Sequence, residues 1–266
     1  MQIIIEYYLI INFFFYLCMV KIYKTGIAFI LAMIAAGFYC YFRAPIVVGD
    51  WTKQTCYLWF IDSFHCQSSN VKPRILLVDD DSGEGIYALK SLCDKLHIKA
   101  TFAVVPGLMS KQICDSLKNW QKQGYGIAIH SYSHDNWSGW SYNEVLSDIE
   151  KCEMQLEKWG FNIHKIKYVV PPHGSNNRQI RKVIKDKNYQ MITGANIINP
   201  DTTTFLLGRM IISDKTSLGE AENVLKKAQK RNCFVIFGTH SSMEDNYSEE
   251  RTKAILQMAI DIGFEY

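Results

Sequence analysis

Residues 74–81 read RILLVDDD, a short apolar run that ends in three consecutive carboxylates. RILLV (74–78) is a short buried strand, and from Lys72 onward strands and helices alternate. Working outward, the pattern repeats. Residues 84–96 form a helix with Ile86, Leu89, Leu92 and Leu96 on one face, and KATFAVV (99–105) is a strand closed by Pro106-Gly107. Ser110 caps a helix through Gln123, and GYGIAIH (124–130) is the next strand. Ser141 opens a long helix to Trp159, with Glu144 three residues on as a capping box. IKYVV (166–170) is extended, a helix lies near 176–187, and MITGA (191–195) and FLLGRMII (205–212) are extended. A helix over 217–231, the strand CFVIFGTH (233–240) and a helix over 248–262 complete the series. Strands alternating with helices imply an α/β fold with a parallel sheet or barrel.

In such folds chemistry collects at the C-terminal ends of the strands. Four strands finish there in titratable or turn-forming residues: Asp79-Asp80-Asp81, His130 with His134 in HSYSH, Pro171-Pro172-His173-Gly174, and His240. His130 and His134 converge if the chain turns helically after the strand. Two imidazoles and one carboxylate make an open zinc site, with a position left for water or substrate. One Asp of the acidic run then serves as ligand while its neighbour is a general base. The plainer reading is a solvated turn capping the helix near Glu84. Three adjacent carboxylates repel one another, however, so a cation among them is physically reasonable.

The first fifty residues have a different character. TGIAFILAMIAAGFYCYF (25–42) has no charge over 18 residues, and as a helix it would cover ~27 Å, close to the thickness of a bilayer core. Lys21 and Lys24 before it place the N-terminal side in the cytoplasm and the bulk of the protein outside. Residues 1–43 are therefore expected to be a membrane anchor or signal region, with an uncleaved anchor preferred, and 44–71 a linker. A start at Met19 would give an ordinary charged n-region before the apolar run. Cys56 and Cys66 in the linker suit a disulfide in an oxidising compartment. Cys93, Cys114, Cys152 and Cys233 form no CxxC pair and read as small buried hydrophobes. With 29 basic and 26 acidic residues the chain is nearly balanced, which gives no case for nucleic-acid binding.

LVDD (77–80), HSYSH (130–134), VPPHG (170–174) and FGTH (237–240), with IKATFAVVPG (98–107) between the first two, resemble the motifs of polysaccharide deacetylases, the NodB-homology group or carbohydrate esterase family 4. The resemblance covers roughly 72–262. It implies a distorted (β/α) barrel of the NodB type over 72–266 that binds a divalent metal, usually zinc. Carried across residue by residue, it implies Asp79 as general base, Asp80, His130 and His134 as metal ligands, and His240 as general acid. Pro172 and His173 would border the oxyanion and substrate site. Asp81 stands where the family usually has Gly, and its role is left open.

The resemblance departs at Val170, where the family has an arginine that holds the catalytic Asp. Another cation should fill that gap. Arg209 is the candidate, because a charge in the apolar run FLLGRMII needs a partner if it points inward. The implied function is a membrane-anchored, metal-dependent N-deacetylase of acetylated amino-sugar polysaccharide, acting outside the cytoplasm. A non-catalytic cell-envelope carbohydrate-binding module on the same fold and an O-acetyl esterase are the alternatives.

Overall fold

A computed structural model of the protein describes residues 72–194, 197–199, 202–243 and 247–266. The anchor, the linker with Cys56 and Cys66, and the Met19 start lie outside the described residues. Among the described residues no helix is long and apolar enough to cross a membrane.

The strands are β1 (Arg74–Asp79), β2 (Ala100–Val104), β3 (Gly126–Ile129), β4 (Tyr168–Val169), β5 (Gln190–Thr193), β6 (Ile198–Asn199), β7 (Leu206–Gly208), β8 (Met210–Ile211) and β9 (Phe234–Thr239). The helices are α1 (Ile86–Lys95), α2 (Lys111–Lys122), α3 (Tyr142–Lys158), α4 (Arg178–Asp186), α5 (Leu218–Arg231) and α6 (Glu249–Ile262). Local chemistry sets several helix starts. Ser110 accepts the Ile113 N–H at the head of α2, and Ser141 and Glu144 form a reciprocal capping box at the head of α3.

The sheet runs β6-β9-β1-β2-β3-β4-β5-β7, with β8 also paired to β9. Every pairing is parallel except that of β6 with β9. The expected single strand over 205–212 is two strands. Leu206–Gly208 pairs with β5, and Met210–Ile211 pairs with β9, the second strand from the other end of the order. Arg209 is the residue between them, so the chain changes partners there and the sheet bends round into a nearly closed barrel.

Alternation along the strands sorts side chains into two cores. Val78, Ala103, Ala128, Val170, Ile192, Leu207, Phe234 and Ile236 form an inner cluster. Their neighbours Leu77, Phe102, Val104, Ile127, Ile129, Val169, Met191, Val235 and Phe237 belong to the larger cluster, which they share with the helices. Cys93, Cys114, Cys152 and Cys233 are buried and unbridged, and burial pushes the Cys93 thiol up to about 12. They behave as packing residues, as expected.

β6, which pattern reading passed over, braces the barrel's closing corner. The Asn199 amide donates to the Gly208 carbonyl at 2.9 Å and accepts the Gly208 N–H at 2.8 Å, both in a buried setting. Asn199→Ala strands both backbone groups. A buried unmet polar group costs ~1–3 kcal/mol, so urea unfolding should show a lower midpoint with an unchanged slope.

Candidate active site

The site is assembled at the C-terminal ends of β1, β3, β4, β7 and β9. Strand alternation separates the three acidic residues. Asp79 follows Leu77 toward the helix side, whereas Asp80 follows Val78 toward the inner cluster. Asp79 is wholly buried against the end of β9. Its Oδ1 accepts from Thr239 Oγ1 at 2.7 Å and from the Ser241 N–H at 2.8 Å, and its Oδ2 accepts from Ser241 Oγ at 2.6 Å. Burial lifts its carboxyl to about 7 in spite of these three donors.

Asp80 is as deeply buried and has a different neighbour. Arg209 grips it with both ends of the guanidinium, Nη1 to Oδ1 at 2.7 Å and Nη2 to Oδ2 at 2.6 Å. Burial alone would raise this carboxyl. The Arg209 charge and its two hydrogen bonds, with His130 and His240 beyond, outweigh that and hold it at about 2. His240 Nε2 lies 3.5 Å from Asp80 Oδ2.

After Asp80 the backbone leaves the strand through two left-handed residues, Asp81 at φ 73° and Ser82 at φ 49°. Ser82 Oγ anchors the turn on the Ala103 carbonyl at 3.2 Å. The turn swings Asp81 to the histidines, with its Oδ1 3.4 Å from His130 Nε2 and 3.1 Å from His134 Nε2. One ligand atom from each of Asp81, His130 and His134 lies within 4.8 Å of the others. His130 Nδ1 is 2.6 Å from the Val170 carbonyl. A carbonyl only accepts, so Nδ1 carries the proton and Nε2 presents its lone pair to the cluster, the arrangement usual for a metal-binding histidine. Asp81 Oδ2 is buried with no hydrogen-bond partner among the described residues. Two imidazole nitrogens, a carboxylate and an orphaned carboxylate oxygen fit a divalent cation.

His134 reaches the cluster without a helix. Residues 130–136 form a turn with Ser131 at φ 66° and His134 at φ 64°, tied by the His134 N–H donating to Ser131 Oγ at 2.7 Å. His173, at φ 53°, lays its ring 4.5 Å from the His134 ring and sets Nε2 3.1 Å from the His134 carbonyl. Pro172 beside it is buried.

These positions differ by one residue from those expected along the acidic run. Asp81, not Asp80, is the carboxylate beside the two histidines, and Asp80 Oδ2 is 4.0 Å from His130 Nε2. Asp79 is turned away from the barrel mouth, and Asp80 takes the position foreseen for it. Arg209 points inward and meets a motif carboxylate, as expected, and the one it meets is Asp80. Val170 donates nothing from its side chain and packs in the inner cluster, yet its carbonyl fixes His130. Thr239 and Ser241 went unnoticed in the sequence. Their one signal is that two hydroxyl residues bracket a strand-end histidine.

Residues 67–192 match the family model described as polysaccharide deacetylase. An uncharacterized protein of Methanocaldococcus jannaschii is 30% identical over 83 residues, 30% of this chain, and the chain spans only 33% of that curated relative's length. Solved structures share the fold. A family 4 acetyl xylan esterase from Clostridium thermocellum in complex with a cobalt ion is 17% identical, with a TM-score of 0.51 and coverage of 73% of this chain and 86% of its own. A polysaccharide deacetylase from Bacillus cereus is 16% identical, with a TM-score of 0.51 and coverage of 73% and 90%. A family 4 pseudoenzyme from Bacillus anthracis is 17% identical, with a TM-score of 0.51 and coverage of 74% and 64%.

The Arg209–Asp80 pair is nearly dry, with side-chain exposures of 9% and 1%. Arg209→Met leaves a buried carboxylate unpaired, which costs about 3–5 kcal/mol. A double-mutant cycle with Asp80→Asn, read by urea unfolding, should recover much of that loss as coupling energy. Arg209→Lys should fall between, because an ammonium cannot reproduce the two-pronged contact.

Proposed function

Because the chain carries a polysaccharide deacetylase domain of the NodB type, carbohydrate esterase family 4, we propose that it is a metal-dependent hydrolase that removes acetyl groups from acetylated amino-sugar polysaccharide. The observation that carries this reading is the two-pronged Arg209–Asp80 pair beside the Asp81, His130 and His134 cluster. Val170, uncharged where the resemblance expects an arginine, is the ground for a non-catalytic reading, and Arg209 supplies that cation from the corner between β7 and β8.

Asp81, His130 and His134 would hold the divalent cation, zinc being the first candidate for such a donor set. When bound, such a cation acts as a Lewis acid toward an acyl carbonyl and lowers the pKa of water. Asp80 is the general base. Arg209 keeps it ionised and fixes the plane of its carboxylate, so that it can accept a proton from the attacking water. Attack on the acetyl carbon generates an oxyanion, for which the His173 backbone N–H is the proposed donor, with Pro172 shaping the turn. His240 stands across Asp80 at the end of β9 and protonates the sugar nitrogen as the C–N bond breaks, releasing acetate and an amine. Nothing in these roles forbids an acetyl ester, so N- and O-acetyl substrates are to be compared. The proposal that the domain works outside the cytoplasm, tethered to a membrane, is supported by the apolar run at 25–42 alone.

Acetate release from an acetylated chito-oligosaccharide tests the activity. Asp80→Asn should keep its zinc while losing ~10²–10⁴-fold in turnover, the usual worth of a positioned base. Asp81→Asn and His134→Ala should each lose zinc affinity. Zinc bound at unchanged affinity by Asp81→Asn, together with its loss in Asp80→Asn, would return the ligand role to Asp80.

A further inference from the structure

If Asp80 is the base and Asp81 the ligand, Asp79 has no part in the chemistry, yet it is the most fully engaged carboxylate in the site. Among the described residues, all three hydrogen bonds to its carboxylate come from residues 239 and 241, the two neighbours of His240. It holds one through its hydroxyl and the other through both hydroxyl and backbone N–H. The peptide of Asp80 adds a fourth tie, its N–H donating to the Thr239 carbonyl at 3.0 Å. Ser241 is also pressed from its other side. A Cβ at Gly85 would lie 1.8 Å from the Ser241 carbonyl oxygen, so the loop after Asp81 lies directly against the loop after His240.

We propose that Asp79 is the positioning residue for His240: by clamping both flanking residues from the helix side of the sheet, it sets the backbone from which the imidazole reaches over Asp80. The inference rests on the deacetylase reading, in which His240 gives its proton to the leaving group. A strand end is otherwise free to fray, and His240 itself is partly exposed, so its aim depends on residues 239 and 241.

The test exploits leaving-group chemistry. Breaking the acetamide C–N bond requires a proton on the departing nitrogen, whereas 4-nitrophenyl acetate expels a stable phenolate without one. In the full-length protein, Asp79→Asn should therefore raise the ratio of kcat/KM for 4-nitrophenyl acetate to that for acetylated chito-oligosaccharide. The rise should be roughly ten- to hundredfold, the scale on which a misplaced group costs rate, and should come through kcat. His240→Ala should move the ratio in the same direction and further. Ser241→Ala, which deletes one of the three bonds, should give a smaller rise and guards against Asp79→Asn failing to fold.

A purely structural Asp79 would lower both activities together, and an unchanged ratio in Asp79→Asn and Ser241→Ala would overturn the proposal. The His240 ¹H–¹³Cε1 resonance, identified by its loss in His240→Ala, gives a readout independent of turnover. It should be single in the parent and displaced or split in Asp79→Asn, and an unmoved signal counts against the clamp. If the parent hydrolyses neither substrate, the deacetylase reading fails and the resonance alone decides whether Asp79 positions His240.

Discussion

Most of this site follows from one contact, the guanidinium of Arg209 laid along the carboxylate of Asp80. The contact joins the end of β1 to the corner where the chain leaves β7 for β8, with β9 between them. At that corner the Arg209 N–H donates to the Thr193 carbonyl at 3.0 Å, and the Ile212 N–H donates to the Gly238 carbonyl at 2.8 Å. One residue thus carries the change of strand partner that nearly closes the sheet. Its side chain points inward to Asp80, passing Gly238, which leaves that path open. A Cβ at Gly238 would sit 2.5 Å from Ile211 Cδ1 and 3.1 Å from Arg209 Cδ. A buried ion pair is a doubtful source of stability, because desolvation consumes much of the attraction. Its presence beneath the barrel mouth is better explained by what it does there, which is to keep one carboxylate charged and fixed in orientation.

Backbone strain gathers around the same point. Asp81, Ser82, Ser131, His134 and His173 all take positive φ without being glycine. Such conformations persist where surrounding contacts over-determine them, and they cluster at working sites. Here the contacts are visible. Ser82 Oγ is held by the Ala103 carbonyl, Ser131 Oγ holds the His134 N–H, and the His173 imidazole sits on the His134 carbonyl. Each left-handed residue turns the chain sharply just past a strand end. Three side chains from two loops can then meet within a few ångströms.

Much of this was legible in the residues. Serine caps at 110 and 141 announced α2 and α3, and the apolar runs between turn residues announced the main parallel strands. Arg209 was legible because a charge amid FLLGRMII must either face water or find a partner. The register of the acidic run was not. A strand that faces an inner core on one side and helices on the other is apolar at every position. Leu77 and Val78 therefore carry no mark of which faces in, and the parity of Asp79, Asp80 and Asp81 was lost with it. A slip of one residue exchanges the faces, which is why Asp81 is the carboxylate beside the histidines and Asp80 the one that Arg209 holds. β6 escaped for another reason: two residues are too few to show a period, and its hold on Gly208 runs through the Asn199 side chain.

The move of the cation from position 170 to position 209 has a consequence for the barrel floor. An arginine at 170 would have to lead its guanidinium out past Val78, Ala103, Ala128, Ile192, Leu207 and Ile236, the inner cluster that Val170 now shares. From the corner after β7 the guanidinium instead enters above that cluster, at the level of Asp80, so the floor stays apolar and continuous. The Val170 backbone keeps a role that any side chain would permit, because its carbonyl accepts the hydrogen bond from His130 Nδ1. Support for Asp80 and support for His130, which the resemblance would have placed on one strand end, are here divided between the β7–β8 corner and the end of β4. That separation is why the loss of the arginine from its usual motif does not by itself mark the site as inert.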